Sequence, residues 1–104
     1  MLFRSAYVLP NASWARRVSG SFANRLAAVA PERAHAVVVP NTHGGLTVSV
    51  RAPGGDEFSA ARFCRAFGSG GRREAGGIDH LEPARLEALL DALEQGVERA
   101  SRGT

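Results

Sequence analysis

The sequence predicts an α/β domain in which a mixed β-sheet is flanked by helices. Three patterns support this prediction. Apolar residues recur at helical spacing over residues 13–29 and again over residues 86–97. Between them, residues 46–51 alternate between apolar and polar side chains, as in a half-buried strand. With 104 residues the chain has room for one hydrophobic core, so residues 1–104 are expected to form a single domain.

The N-terminal half is expected to contain a strand, a helix and a hairpin. Residues 6–9 form a short apolar run closed by Pro10, which is typical of a strand that ends in a turn. A helix is expected to follow, with its N-cap at Asn11 or Ser13. The almost continuously apolar stretch 34–39 and the alternating stretch 46–51 then predict an antiparallel hairpin. The helix face that we expect to be buried is formed by Trp14, Val18, Phe22, Leu26 and Val29.

The C-terminal half is expected to contain two helices and a last strand. Ser59 can cap a short helix on which Phe63 and Phe67 share a face. A glycine-rich loop follows, and residues 75–79 then predict a strand. Pro83 is expected to open the closing helix at a first-turn position. The apolar stripe of that helix is formed by Leu86, Leu89, Leu90, Leu93 and Val97.

The glycine-rich segment at residues 67–78 predicts an anion-binding site. Five of its twelve residues are glycine and two are arginine. Exposed backbone N–H groups beside guanidinium groups form a concave site for anions, and a phosphate-bearing ligand is the natural candidate. The competing interpretation is a tight connection that needs glycine for its backbone angles.

Arg51 is a second candidate anion ligand, because strand alternation puts it in one row with Thr47 and Ser49. A guanidinium offers a planar fork of donors to phosphate oxygens, and hydroxyls add hydrogen bonds. If the glycine-rich loop folds over the end of this row, Arg51 and Arg72 hold one anion from two sides. The competing interpretation is a solvated arginine on an exposed face.

Two known phosphate-binding motifs are excluded. The glycine-rich segment lacks the Gly-Lys-Ser/Thr ending of a nucleotide-hydrolase P-loop. The dinucleotide-binding fingerprint fails as well, since Arg73 stands where its third glycine belongs.

The sequence shows no active site that this chain could complete alone. Its three histidines, at positions 35, 43 and 80, have no sequence neighbours at metal-ligand spacing. Cys64 has no histidine partner in the sequence and is expected to be a buried apolar side chain. Trp14 and Phe22 could stack on nucleobases, but at helical spacing we assign them to the core.

The charge of the chain favours a polyanionic partner. All thirteen basic residues are arginine, and the net charge is +3. A mildly basic surface without such a partner is the competing interpretation. No apolar run approaches the length that crosses a bilayer, so no membrane association is expected. A single cysteine excludes an internal disulfide and is typical of a reducing compartment, which predicts a cytoplasmic protein.

The segments occur in a distinctive order. One strand ends in Val48-Ser49-Val50-Arg51, a short helix follows, and residues 70–77 read Gly-Gly-Arg-Arg-Glu-Ala-Gly-Gly. This order resembles the C-terminal, DHH-associated domain of the DHH phosphoesterases. That family has a strand ending in Val-Ser-x-Arg, a short helix, a glycine run, a histidine, two variable residues and Ala-Ala-Gly. With the flanking segments, the resemblance covers nearly the whole chain.

The resemblance implies a mixed sheet flanked by helices that serves as the substrate-binding lobe of a two-lobe enzyme. Family members cut phosphate esters in single-stranded nucleic acid, short oligonucleotides, cyclic dinucleotides, nucleotide phosphates or polyphosphate, and the N-terminal lobe holds their manganese ions. No cofactor is then expected in this chain, and the catalytic DHH lobe is expected to be absent from it. The phosphate-binding residues carried over by position are Ser49, Arg51, Gly70, Gly71, Arg72, Ala75, Gly76 and Gly77.

Two positions depart from the family pattern, with Arg72 in place of histidine and Gly76 in place of alanine. An arginine can bind phosphate, but it cannot titrate as a histidine does. We therefore expect a domain that binds phosphate or nucleic acid and is not catalytic alone, with a catalytic DHH lobe as its docking partner. Its ligand would be a single strand, a short oligonucleotide or another phosphate compound. The alternative is a structural or interaction domain that docks on a partner lobe without binding nucleic acid.

Overall fold

A computed structural model describes residues 6–30, 33–52, 60–67, 70–71 and 75–102 of the chain. Both strands and helices occur along these residues, as the sequence predicts. The elements are β1 (Ala6–Val8), α1 (Ser13–Val29), β2 (His35–Pro40), β3 (Leu46–Arg51), α2 (Ala60–Arg65), β4 (Gly70–Gly71), β5 (Ala75–Leu81), a 3₁₀ turn (Pro83–Arg85) and α3 (Leu86–Arg102).

The strands form one mixed sheet in the order β1-β2-β3-β5-β4. β1 runs parallel to β2, and the other neighbouring pairs are antiparallel. The predicted fold class, a mixed sheet flanked by helices, is therefore confirmed. The predicted hairpin is confirmed as well, since β2 and β3 pair from His35↔Arg51 to Pro40↔Leu46.

The larger core lies between the sheet and helices α2 and α3. Side chains alternate along β3, where every second residue is buried. The buried set combines side chains from this face of the sheet with Cys64 of α2 and the apolar stripe of α3. Its members are Ala34, Ala36, Val38, Leu46, Val48, Val50, Ala60, Cys64, Ile78, Leu81, Leu89, Leu90 and Leu93.

Helix α1 covers the other face of the sheet through small residues. Its buried residues are Ala15, Ser19 and Ala23, which lie on one side of the helix because they are four positions apart. Small side chains let the helix backbone approach β2 closely, and Val37 and Val39 on this face of β2 are buried.

The helix face that we expected to be buried is instead largely exposed. Trp14 is 52% exposed, Val18 41% and Val29 75%. The prediction of a large apolar stripe packed on the sheet was therefore wrong for these residues. The physical reason is that the stripe of small residues, turned about 100° around the helix from Trp14, already fills the space against the sheet.

The predicted N-cap of α1 was also wrong. The N-cap is Ala12, whose backbone is extended and whose side chain makes no capping hydrogen bond. The Asn11 side chain accepts a hydrogen bond of 2.9 Å from Nη1 of Arg16. The same Nη1 donates to the carbonyl of Pro40 at 3.2 Å, so Arg16 ties the start of α1 to the end of β2.

The turn between β2 and β3 is organised by Asn41. Its side-chain oxygen accepts hydrogen bonds from the backbone N–H groups of His43 (2.9 Å) and Gly45 (3.0 Å). Gly44 has a φ of +83°, a backbone region that favours glycine. A Cβ at Gly45 would overlap the ring of His80, which lies against the turn.

The glycine-rich segment is more regular than predicted. Gly70 and Gly71 form β4, the short edge strand of the sheet, instead of a loop. The predicted last strand, residues 75–79, extends to Leu81. Ser59 and Arg72, by contrast, lie outside the described residues.

The closing helix is preceded by a 3₁₀ turn that begins at Pro83. Leu89, Leu90 and Leu93 of its predicted stripe are buried. The side chain of Val97 lies outside the described set. No helix among the described residues is long and apolar enough to cross a membrane.

Candidate phosphate-binding surface

The β3 row of polar side chains lies on the α1 side of the sheet. Thr47, Ser49 and Arg51 are half-buried, while the intervening residues face the larger core. Thr47 donates a hydrogen bond of 3.1 Å from Oγ1 to the carbonyl of Asp79, so its hydroxyl serves the sheet. Ser49 and Arg51 are the members of the row that lie farther along the strand, beside the glycine-rich part of β5.

Strand register continues this surface across β5 and β4. Ser49 pairs with Gly77, and Gly77 pairs with Gly70 on its other side. Arg51 pairs with Ala75 in the neighbouring row. Directly paired residues share a sheet face, so one hydroxyl and one guanidinium border a floor that carries at most a methyl group. We call this set of five residues the shelf.

The dimensions of the shelf suit an extended phosphate ligand. Neighbouring strands lie about 4.8 Å apart, so the row from Ser49 through Gly77 to Gly70 spans about 10 Å. Without a Cβ at Gly77 and Gly70, a ligand can approach the strand backbone closely. The shelf therefore has a floor without large side chains and hydrogen-bond donors along its β3 side.

Asn24 of α1 orients the guanidinium of Arg51. Nε of Arg51 donates a hydrogen bond of 2.8 Å to Oδ1 of Asn24, and its Nη1 donates to the carbonyl of Val50 at 3.0 Å. The side chain is thus held where α1 meets the shelf. Asn24 was not predicted as part of the site, because local sequence patterns do not reveal a contact between residues that lie 27 positions apart.

The remaining predicted residues fall on the other face of the sheet or outside the described chain. Gly76 pairs with Val50 and Gly71, so these positions face α2. Residues Ala75–Gly77, which we expected to form a clamping turn, lie within β5. The reason is that antiparallel pairing with both neighbours keeps this glycine-rich stretch extended. Arg72, the proposed second arginine, is outside the described residues.

Gly76 and Gly77 differ sharply in their surroundings. A Cβ at Gly76 would lie 2.9 Å from the carbonyl oxygen of Ala60 and 2.9 Å from Sγ of Cys64. A Cβ at Gly77 would have the carbonyl oxygen of Val48 as its nearest neighbour at 3.5 Å, an ordinary contact. Packing against α2 therefore accounts for the glycine at position 76, whereas packing does not require one at position 77.

Cys64 of α2 is a fully buried thiol. Burial raises its pKa from 9.0 to about 11, and the nearby positive charge of Arg51 partly opposes this rise. A thiol is a weak nucleophile until it ionises. The expectation that Cys64 is a core side chain is confirmed, since it is fully buried among the residues of the larger core.

The side chains of His35 and His80 make structural contacts. His35 is buried, and its Nε2 lies 3.0 Å from the carbonyl oxygen of Ala30 at the end of α1. Nδ1 of His80 lies 3.1 Å from the amide nitrogen of Asn41, and its Nε2 lies 3.6 Å from a carboxylate oxygen of Glu82. In the part of the chain that the structure describes, no three His, Cys, Asp or Glu side chains come together as a metal site would require.

Several solved structures of known proteins have a similar fold. No known protein family and no curated protein matches the sequence. Among solved structures, the C-Ala domain of alanyl-tRNA synthetase from Aquifex aeolicus has a TM-score of 0.70 at 11% identity, over 88% of this chain and 89% of that domain. RecJ from Thermus thermophilus in complex with Mn²⁺ has a TM-score of 0.66 at 24% identity.

The RecJ match covers 93% of this chain but only 14% of RecJ. A second RecJ structure, in complex with Mg²⁺, has a TM-score of 0.66 at 23% identity over 94% of this chain and 15% of RecJ. The chain therefore shares its fold with the C-Ala domain and with a segment of RecJ. This agrees with the mixed sheet flanked by helices that its motif order predicts.

Proposed function

We propose that this chain is the phosphate-binding domain of a DHH-type phosphoesterase, that it holds single-stranded nucleic acid or a short oligonucleotide, and that it is not catalytic alone. One observation carries the proposal. The hydroxyl of Ser49 and the guanidinium of Arg51 border the same open floor, formed by Gly77, Gly70 and Ala75. The three small residues leave this floor clear for a sugar-phosphate chain.

The chemistry of the shelf fits a phosphodiester. Arginine donates charge-assisted hydrogen bonds to phosphate and keeps its charge at any physiological pH. The bond from Arg51 to Asn24 fixes the guanidinium before the ligand arrives, which lowers the entropic cost of binding. Arg72, the next residue along the chain after β4, is part of this proposal as a second cation.

The fold neighbours support a nucleic-acid ligand in general, because both RecJ and the tRNA synthetase domain belong to nucleic-acid-processing proteins. Catalysis is assigned to a separate lobe that would supply the manganese ions. The unpaired, buried thiol of Cys64 fits a cytoplasmic location.

The proposal is tested by fluorescence anisotropy with a labelled five-nucleotide single strand at low salt. Arg51→Ala is expected to weaken binding about tenfold, the effect of losing one charge-assisted hydrogen bond. The matched control is Arg65→Ala, which removes an equal charge from an exposed position of α2 on the opposite side of the sheet. This control is expected to change the affinity less than about twofold.

Salt dependence and folding checks complete the experiment. Binding through one to three phosphates gives a logarithmic salt slope of roughly −1 to −2 for a single strand, and Arg51→Ala is expected to reduce it by about 0.7. Circular dichroism verifies that each variant is folded. Equal effects of Arg51→Ala and Arg65→Ala, or no binding by the wild type, would overturn the proposal and leave the alternative of a structural interaction domain.

A further inference from the structure

An apolar groove runs along the side of α1 that faces away from Arg51. We call it the α1 groove. Its volume is about 360 Å³, and one wall is the exposed side of α1 while Leu9, just after β1, contributes to the other. The lining residues are Leu9, Trp14, Val18, Ser21, Phe22 and Arg25.

The groove lies within a larger apolar surface. Among the described residues, the large hydrophobic side chains that are exposed all belong to β1 and α1. Tyr7, which is 44% exposed and pairs with Val37 on the α1 face, extends the surface onto β1, the edge strand of the sheet at this end. The ring of Tyr7 packs edge-on against Phe22 at a centroid distance of 5.4 Å, so the two elements form one continuous wall. Clustered exposed apolar side chains of this kind mark interaction surfaces.

The length and shape of the groove suit a helix. Its lining residues on α1 recur every three or four positions from Trp14 to Arg25, eleven positions along the helix. At 1.5 Å per residue this distance is about 16 Å, or three helical turns. A short amphipathic helix that lies along such a groove contacts it through side chains at positions i, i+3 or i+4, and i+7.

The charge around the groove decides between candidate occupants. Arg17 and Arg25 of α1 are exposed, and α1 contains no acidic residue. A second copy docked through the same surface would bring these arginines together, which is unfavourable. Val18 lies four positions from both Trp14 and Phe22 and separates their rings along the helix, whereas single-stranded nucleic acid prefers a row of adjoining aromatic rings.

We propose that the α1 groove binds an amphipathic helix of a partner protein that carries Asp or Glu residues beside its apolar face. The apolar side chains of that helix fill the space between Trp14 and Phe22. Its carboxylates pair with Arg25 at the rim. This surface lies on the opposite flank of α1 from Asn24, so it is separate from the shelf and does not depend on phosphate binding.

Trp14 provides a direct readout, because it is the only tryptophan in the chain and it lines the groove. The probe is a synthetic helix of roughly 15 residues, long enough to hold helical structure, with leucines on one face and glutamates on its flanks. The control peptide has lysine at each glutamate position. The acidic peptide is expected to shift Trp14 emission to shorter wavelength and to saturate, whereas the lysine peptide binds at least tenfold more weakly.

Charge reversal gives the sharpest test. Arg25→Glu is expected to weaken the acidic peptide at least fivefold and to strengthen the lysine peptide. Arg65→Glu, the matched reversal on α2, is expected to leave both affinities within twofold. Val18→Asp, at a position that is 41% exposed, is expected to abolish peptide binding without unfolding the chain, as verified by circular dichroism.

Three results would overturn the inference. The first is an equal response to the acidic and lysine peptides. The second is a response of Trp14 to the five-nucleotide strand and not to the peptide. The third is a wild-type dimer in sedimentation that Val18→Asp converts to a monomer, since a second copy would then occupy the groove. Arg51→Ala keeps peptide binding if the inference is right, so failure of the shelf and failure of the groove are distinguishable.

Discussion

At the residue scale, Gly76 and Gly77 are neighbours with opposite requirements. The Cβ of Gly76→Ala would press on the Ala60 carbonyl and on Cys64, and forced overpacking typically costs about 1–3 kcal/mol. Gly77→Ala adds a methyl group in ordinary contact and is expected to change stability by less than about 0.5 kcal/mol. Urea unfolding of both variants measures these changes.

The two substitutions also separate stability from binding. Gly77→Ala places its methyl on the shelf floor, so it is expected to weaken oligonucleotide binding while the protein stays as stable as the wild type. A Gly76→Ala protein as stable as the wild type would contradict the packing of β5 against α2. Cys64→Ala in the Gly76→Ala background relieves one of the two close contacts and is expected to recover part of the loss.

The second residue-scale prediction concerns the pH dependence of stability through Cys64. Below pH 9.0 the thiol is protonated in the folded and unfolded chains; between pH 9.0 and about 11 only the folded chain keeps its proton, because its pKa is raised to about 11. The free energy of unfolding therefore falls through this window, by at most about 3 kcal/mol.

Denaturant titrations from about pH 8 to about pH 10.5 compare the wild type with Cys64→Ala. The substitution lowers stability at every pH through lost packing, but it is expected to flatten the decline. A decline of the same slope in both proteins would contradict the assignment to Cys64.

Residue-scale prediction from the sequence succeeded where a single strand determines the result. Alternation alone places Ser49 and Arg51 on the face opposite the Leu46 side of β3, and the structure has them there. It could not reveal Asn24, because the bond to Arg51 depends on how α1 crosses the sheet. It also could not separate Gly76 from Gly77, since only the position of α2 makes one of them obligatory.

At the element scale, the helix α1 was predicted correctly, but the side of it that packs against the sheet was not. The periodicity of Trp14, Val18 and Phe22 predicted a helix, and α1 covers Ser13–Val29. The sequence also contains the small-residue stripe of Ala15, Ser19 and Ala23, but hydrophobic periodicity gives more weight to large side chains. Close approach of helix and sheet favours small residues, so the large apolar side is left exposed.

The turn between β2 and β3 provides an element-scale prediction. Asn41→Ala removes the acceptor of two backbone N–H groups and is expected to lower the free energy of unfolding by about 1–2 kcal/mol. Thr42→Ala, at the exposed neighbouring position, is the control and is expected to change it by less than about 0.5 kcal/mol. Thermal unfolding by circular dichroism compares the two, and equal losses would contradict this account of the turn.

At the scale of the whole molecule, helix α1 lies between two surfaces on the same side of the sheet. The shelf is formed by β3, β5 and β4, and the α1 groove lies at the β1 edge of the sheet.

The sequence predicted the fold class and the hairpin, because these follow from periodicity and turn residues. It could not give the strand order β3-β5-β4, because that order depends on the pairing of a two-residue strand with β5, and Gly70–Gly71 has no strand signature.

The central claim is that the shelf, and not the α1 groove, holds the phosphate ligand. The most direct test is an ¹H–¹⁵N correlation spectrum of the whole chain titrated with the five-nucleotide single strand. The largest shifts are predicted at the backbone amides of Ser49, Gly70 and Gly77 and at the side chain of Arg51, with the indole of Trp14 unmoved. Largest shifts at Trp14 and Val18, or small shifts spread evenly over all the arginines, would contradict the account.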